Sequence, residues 1–204
     1  MNFSTADLFD DFDDQLQSCE LSFQNFGGAK SFFGQISTIR CHEDNSLICQ
    51  TLSESGQGKV LVIDGAGSLR RALVGDMIAE LARSKDWSGI VVHSAIRDSV
   101  AIGNLQIGLK ALGTNPRRST KTGSGFQNIP LQFGNISFTP NHWIYCDYDG
   151  IAVSPINLLA WHKPHTPISS DRTIFQHLNP PWITDKFDGS IYLENVWSNR
   201  QFTQ

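Results

Sequence analysis

No stretch of this 204-residue chain approaches the roughly 20 consecutive apolar residues that a membrane-spanning helix requires. The amino terminus, MNFSTADLFDDFDDQ, lacks both the basic opening and the apolar centre of a signal peptide. Neither a membrane partner nor export is therefore expected, and the expected compartment is the cytoplasm. CxxC spacing is missing among Cys19, Cys41, Cys49 and Cys146, two of which lie in apolar surroundings where a thiol acts as a small hydrophobe. That leaves no basis for a disulfide framework or a zinc site. An excess of positive charge is lacking too: the formal net charge is -4 and the pI near 5.8. An acidic surface repels phosphate backbones, and the one basic cluster, Arg117, Arg118 and Lys121, reads as a solvated loop, so direct nucleic-acid binding is not expected. Internal repeats and low-complexity tracts are also missing, which excludes a solenoid or an array.

What is present is an ordinary globular balance, 40% hydrophobic and 18% charged, over a length that suits one domain with a small appendage. The stretch from Lys59 to Ile102 organises it. Val60 to Ile63 and Gly89 to Val92 are short apolar runs bounded by glycine and rich in β-branched residues, as buried parallel strands are. Between them Leu73, Met77, Ile78 and Leu81 recur at helical steps, and Arg83, Ser84 and Lys85 give a polar, basic last turn. The pattern predicts a β-α-β unit. Ligands in open α/β sheets sit beyond the carboxyl ends of the strands, here Asp64-Gly65-Ala66-Gly67 and His93 to Asp98.

Around this unit, Ser4 or Thr5 caps a first helix whose apolar stripe is Leu8, Phe12 and Leu16. Phe33 to Arg40 reads as a strand and Asn45 to Ser53 as a helix. Ile107 to Leu112 is a short strand before a loop at Gly113-Thr114-Asn115-Pro116. Pro130 to Phe133, Ile136 to Phe138 and Trp143 to Cys146 read as strands joined by hairpins at Gly134-Asn135 and Pro140-Asn141, and Asp147 to Gly150 turns into a last core strand, Ile151 to Ser154. From Pro155 the prolines cluster, and Trp161, Trp182 and Trp197 lack any period. This divides the chain into a domain over 1–155 and a Pro- and Trp-containing extension over 156–204 whose role is unreadable.

Three features converge on the crevice. Val74 to Ile78 lies at the start of the central helix, where unpaired N–H groups and the helix dipole favour a carboxylate; a bare cap by Asp76 with a space-saving Gly75 is the plainer account of that pentapeptide. Arg97-Asp98 follows a buried strand and pairs a forked guanidinium, suited to a substrate carboxylate, with a hard oxygen ligand for Mg²⁺ or Mn²⁺. A surface ion pair is the bland alternative. Asp64 to Arg70 is glycine-rich but lacks the final glycine of the dinucleotide fingerprint and any Walker lysine, which rules against NAD and ATP. Asp64 and Arg70 are expected to be partners that shape the crevice, and His93 to be structural.

Taken jointly, IDGAGSLRRALVGDMIAELA and GIVVHSAIRD, with FGGAKSFFGQISTIRCHEDN and DYDGIAVSP, resemble the family of ribonuclease-activity regulator A and the class II 4-hydroxy-4-methyl-2-oxoglutarate aldolases. The resemblance runs from Leu8 to Pro155. It implies a layered α/β/β sandwich of the swivelling phosphohistidine-domain type, assembled as a homotrimer with sites near the subunit interfaces. It further implies that backbone amides of Gly75, Asp76, Met77 and Ile78 hold a pyruvyl carboxylate, that Arg97 binds substrate, and that Asp98 ligates a divalent cation, Mg²⁺ or Mn²⁺. Regulator members commonly lack the acid after the arginine; this chain keeps it. The expected activity is metal-dependent cleavage of 4-hydroxy-4-methyl-2-oxoglutarate to two pyruvates, with oxaloacetate decarboxylation on the side and Asp76 handling a proton. Direct binding and inhibition of ribonuclease E is the competing function, with a structural trimer as a third.

Overall fold

Twelve strands and four α-helices occupy residues 3–160, the part of the chain that the computed structural model describes. In chain order they are α1 (Thr5–Phe12), β1 (Gln17–Ser18), β2 (Gln24–Asn25), β3 (Phe32–Arg40), α2 (Ser46–Leu52), β4 (Val60–Asp64), β5 (Ala72–Val74), α3 (Asp76–Ser84), β6 (Gly89–Ile96), α4 (Ser99–Gly103), β7 (Gly108–Thr114), β8 (Phe126–Gln127), β9 (Leu131–Phe133), β10 (Ile136–Phe138), β11 (Trp143–Cys146) and β12 (Ile151–Ser154).

The strands β3, β4, β6 and β7 lie side by side and parallel, in that order. Parallel neighbours need crossovers, supplied here by α2, α3 and α4. Alternation along the strands divides the side chains between two faces. Leu61, Ile63, Ile90, Val92, Leu109 and Ala111 meet Ile48, Leu52, Ala79, Ala82 and Ile102 of the three helices. Val60, Val62 and Val91 point the other way, onto Leu131, Phe133, Ile136 and Phe138 of the β9–β10 hairpin. The result is a helical layer, a large sheet and a second β layer, the α/β/β order expected. Truncating a residue sealed between layers leaves a cavity that the rest of the core cannot close. Leu61→Ala is expected to lower stability by about 2–5 kcal/mol, read as a fall in the urea midpoint without loss of cooperativity.

The sheet is completed by antiparallel strands, β11, β12 and β1 beyond β3, and β2 beyond β7. Gly134 and Asn135 both have φ of 60°, the left-handed pair that a two-residue hairpin turn demands, and β9 and β10 pair across it. The second expected hairpin does not form. β11 pairs with β3 and β12 instead of β10, so Pro140-Asn141 is where the chain changes sheets.

Ser4 caps α1 by accepting from the Asp7 amide at 3.5 Å, and Asp147 accepts from the Thr5 amide at 2.6 Å and its hydroxyl at 2.8 Å. The helix is shorter than its apolar stripe implies, breaking into a 3₁₀ turn at Asp13–Gln15, yet Phe12 and Leu16 still join Leu8 and Tyr145 in one cluster. Leu158 and Leu159 belong to that cluster, with the Leu158 amide donating to the Tyr145 hydroxyl at 2.8 Å. The chain past Pro155 thus packs on the body as far as Leu159; Trp161, Trp182 and Trp197 lie outside the described residues.

The central unit differs from its pattern in three places. Leu73 is not helical: Ala72–Val74 is drawn out as β5 alongside β6, and Gly75, with φ -125° and ψ -176°, separates it from α3. Met77 is 81% exposed instead of facing the core, because a helix begun at Asp76 turns Ala79 and Ala82 inward, flanked by Ile78 and Leu81. β6 runs on to Ile96 and β7 to Thr114, which pair with each other, so Gly113 and Thr114 are strand.

Candidate functional site

Because β6 extends to Ile96, it delivers Arg97 and Asp98 at its very tip, beside the start of α3. Asp98 has φ 57°, ψ 36°, a left-handed conformation that Asp tolerates better than most residues. The Arg97 amide donates to the Val74 carbonyl at 2.9 Å, which ties the strand tip to the segment before the helix. In this arrangement Arg97 Nε lies 3.2 Å from Asp98 Oδ2, and that same oxygen is 3.5 Å from the Asp76 amide. Guanidinium, acid and helix start therefore meet at one place.

Gly75 is what lets them meet. A β-carbon there would stand 2.8 Å from Asp98 Oδ2 and 3.2 Å from Arg97 Nε. Gly75→Ala is expected to displace the pair and cut turnover of any substrate bound there by at least tenfold, while the urea midpoint changes little. Steady-state kinetics beside an unfolding curve check it.

The amides of this turn are partly engaged. Asp76 Oδ1 accepts from its neighbour Met77 at 2.8 Å, and the Ile78 amide donates to the Gly75 carbonyl at 3.1 Å. The helix N-cap is Gly75, which has no side chain to offer, and Asp76, the first helical residue, engages the Met77 amide through its own carboxylate.

In front of the helix start lies a cavity of about 350 Å³, lined by Gly75 to Ile78, Arg97, Leu73, Asn45, Cys49, Arg118, Ser119 and Lys121. Leu73, Asn45, Cys49, Arg118, Ser119 and Lys121 were not legible as site residues. Asn45 reads as a helix start, and Arg118 and Lys121 read as solvated. What brings them in is an arm over residues 117–123: the Ala72 amide donates to the Arg117 carbonyl at 2.7 Å, the Ser119 amide to the Ala72 carbonyl at 3.2 Å, and the Thr120 amide to the Glu43 carbonyl at 2.8 Å. The buried Asp44 carboxylate fastens the arm, accepting from the Ser46 amide at 2.9 Å, the Thr122 hydroxyl at 2.8 Å and the Thr122 amide. Burial alone would raise this carboxyl, but the donors from Thr122 and Ser46 outweigh it and hold it well below the usual carboxylate range.

The cavity is chemically biased. Arg97, Arg118 and Lys121 place three cations on its walls against Asp76 and the neighbouring Asp98, so it attracts anions. Asn45 Oδ1 and Ser119 Oγ are buried without a hydrogen-bond partner. Buried polar atoms are rarely left so, and a polar ligand or ordered water in the cavity would satisfy them.

The glycine-rich turn after β4 serves a different purpose. Asp64 and Arg70 are not partners. Asp64 binds Arg40 Nε at 3.2 Å and His93 Nδ1 at 3.0 Å, while Arg70 Nε reaches Glu43 at 2.7 Å. Burial pushes the Asp64 carboxyl upward, but His93 and the Ala66 amide prevail and lower it. His93 also stacks on Phe133 with centroids 4.4 Å apart, so it is a packed, oriented histidine, as expected.

No group of three or more His, Cys, Asp and Glu side chains that could hold a metal occurs among the described residues. Nor is any helix among them long and apolar enough to cross a membrane.

This architecture and sequence have known counterparts. A solved structure described as S-adenosylmethionine: 2-dimethylmenaquinone methyltransferase from Geobacillus kaustophilus is 43% identical, with TM-score 0.77 over 79% of this chain and 100% of that one. The RNA-processing inhibitor RraA from Thermus thermophilis is 36% identical, with TM-score 0.73 over 83% of this chain and 99% of that one. RraAS2 of Streptomyces coelicolor, described as an unusual member of the RNase ES inhibitor RraA family, shares the fold at 24% identity and TM-score 0.64, over 78% of this chain and 83% of that one. The model of the RraA-like family, Aldolase/RraA, matches residues 5–153. With a helix-start cavity of cationic walls on an α/β/β body, this chain belongs to the RraA-like family, which includes both aldolases and ribonuclease inhibitors.

Proposed function

We propose that the protein is a divalent-metal-dependent lyase that cleaves 4-hydroxy-4-methyl-2-oxoglutarate to two pyruvates and, as a secondary activity, decarboxylates oxaloacetate. The observation that carries this is the meeting of Arg97, Asp98 and the α3 start within one hydrogen-bond length of each other, at the mouth of a cation-walled cavity.

The residues fit a hard cation. Asp98 is a carboxylate with a partly exposed side chain, and Mg²⁺ is habitually held by one or two protein carboxylates with substrate oxygens and waters filling the rest of its sphere. Asp98 would hold Mg²⁺ or Mn²⁺. Bound there, the ion supplies Lewis acidity toward the carbonyl oxygen of a 2-oxo acid. Everything else is done by the chain. The Gly75 to Ile78 turn receives the pyruvyl carboxylate, which takes over the Met77 amide now engaged by Asp76. Arg97 forks onto the substrate oxygens that gain charge as the carbon–carbon bond breaks. Asp76, released from that amide, stands beside the departing alcohol and takes its proton. Arg118 and Lys121 face the substrate's distal carboxylate.

Pyruvate release measured with and without EDTA tests the proposal. Loss of activity on chelation, restored by Mg²⁺ or Mn²⁺, is expected; activity indifferent to the chelator would remove the metal from the mechanism. Arg97→Lys keeps the charge and loses the fork, and equal turnover in that variant would argue against bidentate recognition.

The 36% identity to an RNA-processing inhibitor favours a second function, direct binding to ribonuclease E by a cytoplasmic homotrimer. A pull-down with ribonuclease E, run on the preparation that is assayed for pyruvate, separates the two: capture without lyase activity would assign regulation, and activity without capture the enzyme.

A further inference from the structure

Lys110 stands on the wrong face of its strand for a charged residue. Its neighbours Leu109 and Ala111 point to the helices, so the lysine points the other way, into the apolar space between the sheet and the second β layer. It is 1% exposed. Buried ammonium groups are ordinarily paired, because an isolated charge in low dielectric is strongly unfavourable. Yet among the described residues the Lys110 side chain makes no hydrogen bond or ion pair. Its amine instead borders a separate cavity of about 350 Å³, whose walls include Cys19, Phe23 and Tyr148 and whose exposed rim carries Glu20 and Asp149. Burial pushes the amine below its ordinary range, against the opposing influence of Cys146, Asp147, Asp149 and Cys19.

We infer that Lys110 is a nucleophilic amine that captures a small neutral aldehyde or ketone as an imine in this cavity. An unpartnered amine with its lone pair free is the form that attacks a carbonyl carbon. The nitrogen–carbon bond forms as the carbonyl π pair moves to oxygen, which takes a proton and gives a carbinolamine. Water then leaves as the nitrogen lone pair closes the C=N bond. Water at the cavity mouth supplies the proton to the departing hydroxyl, the amine's own proton having been released to it, and the Glu20 and Asp149 carboxylates on the same cavity stabilise the resulting iminium; no oxidant or reductant takes part. The same two carboxylates repel anionic carbonyl compounds. This site therefore selects against the 2-oxo acids that the cavity of Arg97, Arg118 and Lys121 attracts, and it stands whether or not the lyase proposal does.

The test is reductive trapping on the intact folded chain. Propionaldehyde and cyanoborohydride are added at about pH 6.5, and the adducts are mapped by peptide mass spectrometry. Lys110, an unpartnered amine facing a cavity, is expected to be modified several-fold faster than Lys59 or Lys85, and pyruvate used in place of propionaldehyde should label it several-fold less. Lys110→Gln should remove the fast adduct and leave the labelling of Lys59 and Lys85 as it was. Modification of Lys110 no faster than of the surface lysines, or only after unfolding in urea, would overturn the inference and leave a hydrated structural lysine.

Discussion

Asp98→Asn should reduce Mg²⁺-dependent pyruvate release by about 10²–10³-fold, the loss typical when one element of transition-state charge stabilisation is removed. Asparagine is the informative replacement. Asp98 sits at φ 57°, where alanine is strained and asparagine is tolerated, so a loss of activity in Asp98→Asn reports on charge and metal ligation instead of on the backbone. The variant also removes the negative charge of the Arg97 ion pair, a contact at 3.2 Å between side chains that are each 38% exposed and hence worth little to the fold. Its urea midpoint should stay near that of the parent. A second readout needs no turnover. An ion that binds only the folded chain must raise the thermal midpoint, and that Mg²⁺-induced rise is expected to vanish in Asp98→Asn. Full activity in a variant that no longer responds to Mg²⁺ would place the chemistry elsewhere.

Asp44→Ala should act from outside the cavity and still be felt within it. Asp44 does not line the pocket, but its carboxylate gathers donors from Ser46, Thr122 and, at 3.3 Å, the Thr120 hydroxyl. Its removal strands several buried donors at once, a loss of about 3 kcal/mol, and frees the arm that carries Arg118, Ser119 and Lys121. The expected kinetic signature is a rise in KM for a dianionic 2-oxo acid that exceeds any fall in kcat. Trypsin should cut the folded variant after Arg117, Arg118 or Lys121 faster than it cuts the parent. The sign of the pH effect follows from the direction of the shift. Asp44 is depressed in the folded state, so its contribution is fully present above the ordinary Asp value of about 3.9 and is lost as pH falls toward the lower folded value. Urea midpoints between pH 6 and pH 3 should therefore fall less steeply in Asp44→Asn than in the parent. Parallel slopes would show that Asp44 does not anchor the arm through its charge.

The central unit was readable because its signals are local. Val60 to Ile63 and Gly89 to Val92 are unbroken apolar, β-branched runs of a few residues, and helical spacing between them leaves little choice but a crossover. Gly75 and the Arg97-Asp98 pair were found by the same means, as residues at ends of elements. The errors were local too. Counting Leu73 and Met77 into the helix fits an apolar period, but Ala72–Val74 gains more by pairing with β6, and the helix that starts after Gly75 has a different inner face. Arg118 and Lys121 looked solvated because nothing near them in sequence is apolar. Their place is set by Asp44, 76 residues before Thr120 and 78 before Thr122, and no period spans such distances.

By itself the amino-acid sequence determined the central β-α-β unit, through two apolar β-branched runs flanking a helical spacing, while the α/β/β layering was implied by the family resemblance. It also determined that a glycine turn and an Arg-Asp pair stand at element ends. Tertiary structure alone decided that these ends meet within 3.5 Å, that the 117–123 arm closes the wall in front of them, and that the buried Lys110 side chain borders a cavity with no side-chain partner among the described residues. The physical reason is that burial preferences act residue by residue, whereas proximity between distant loops follows from strand order and from hydrogen bonds that exist only once the sheet has formed.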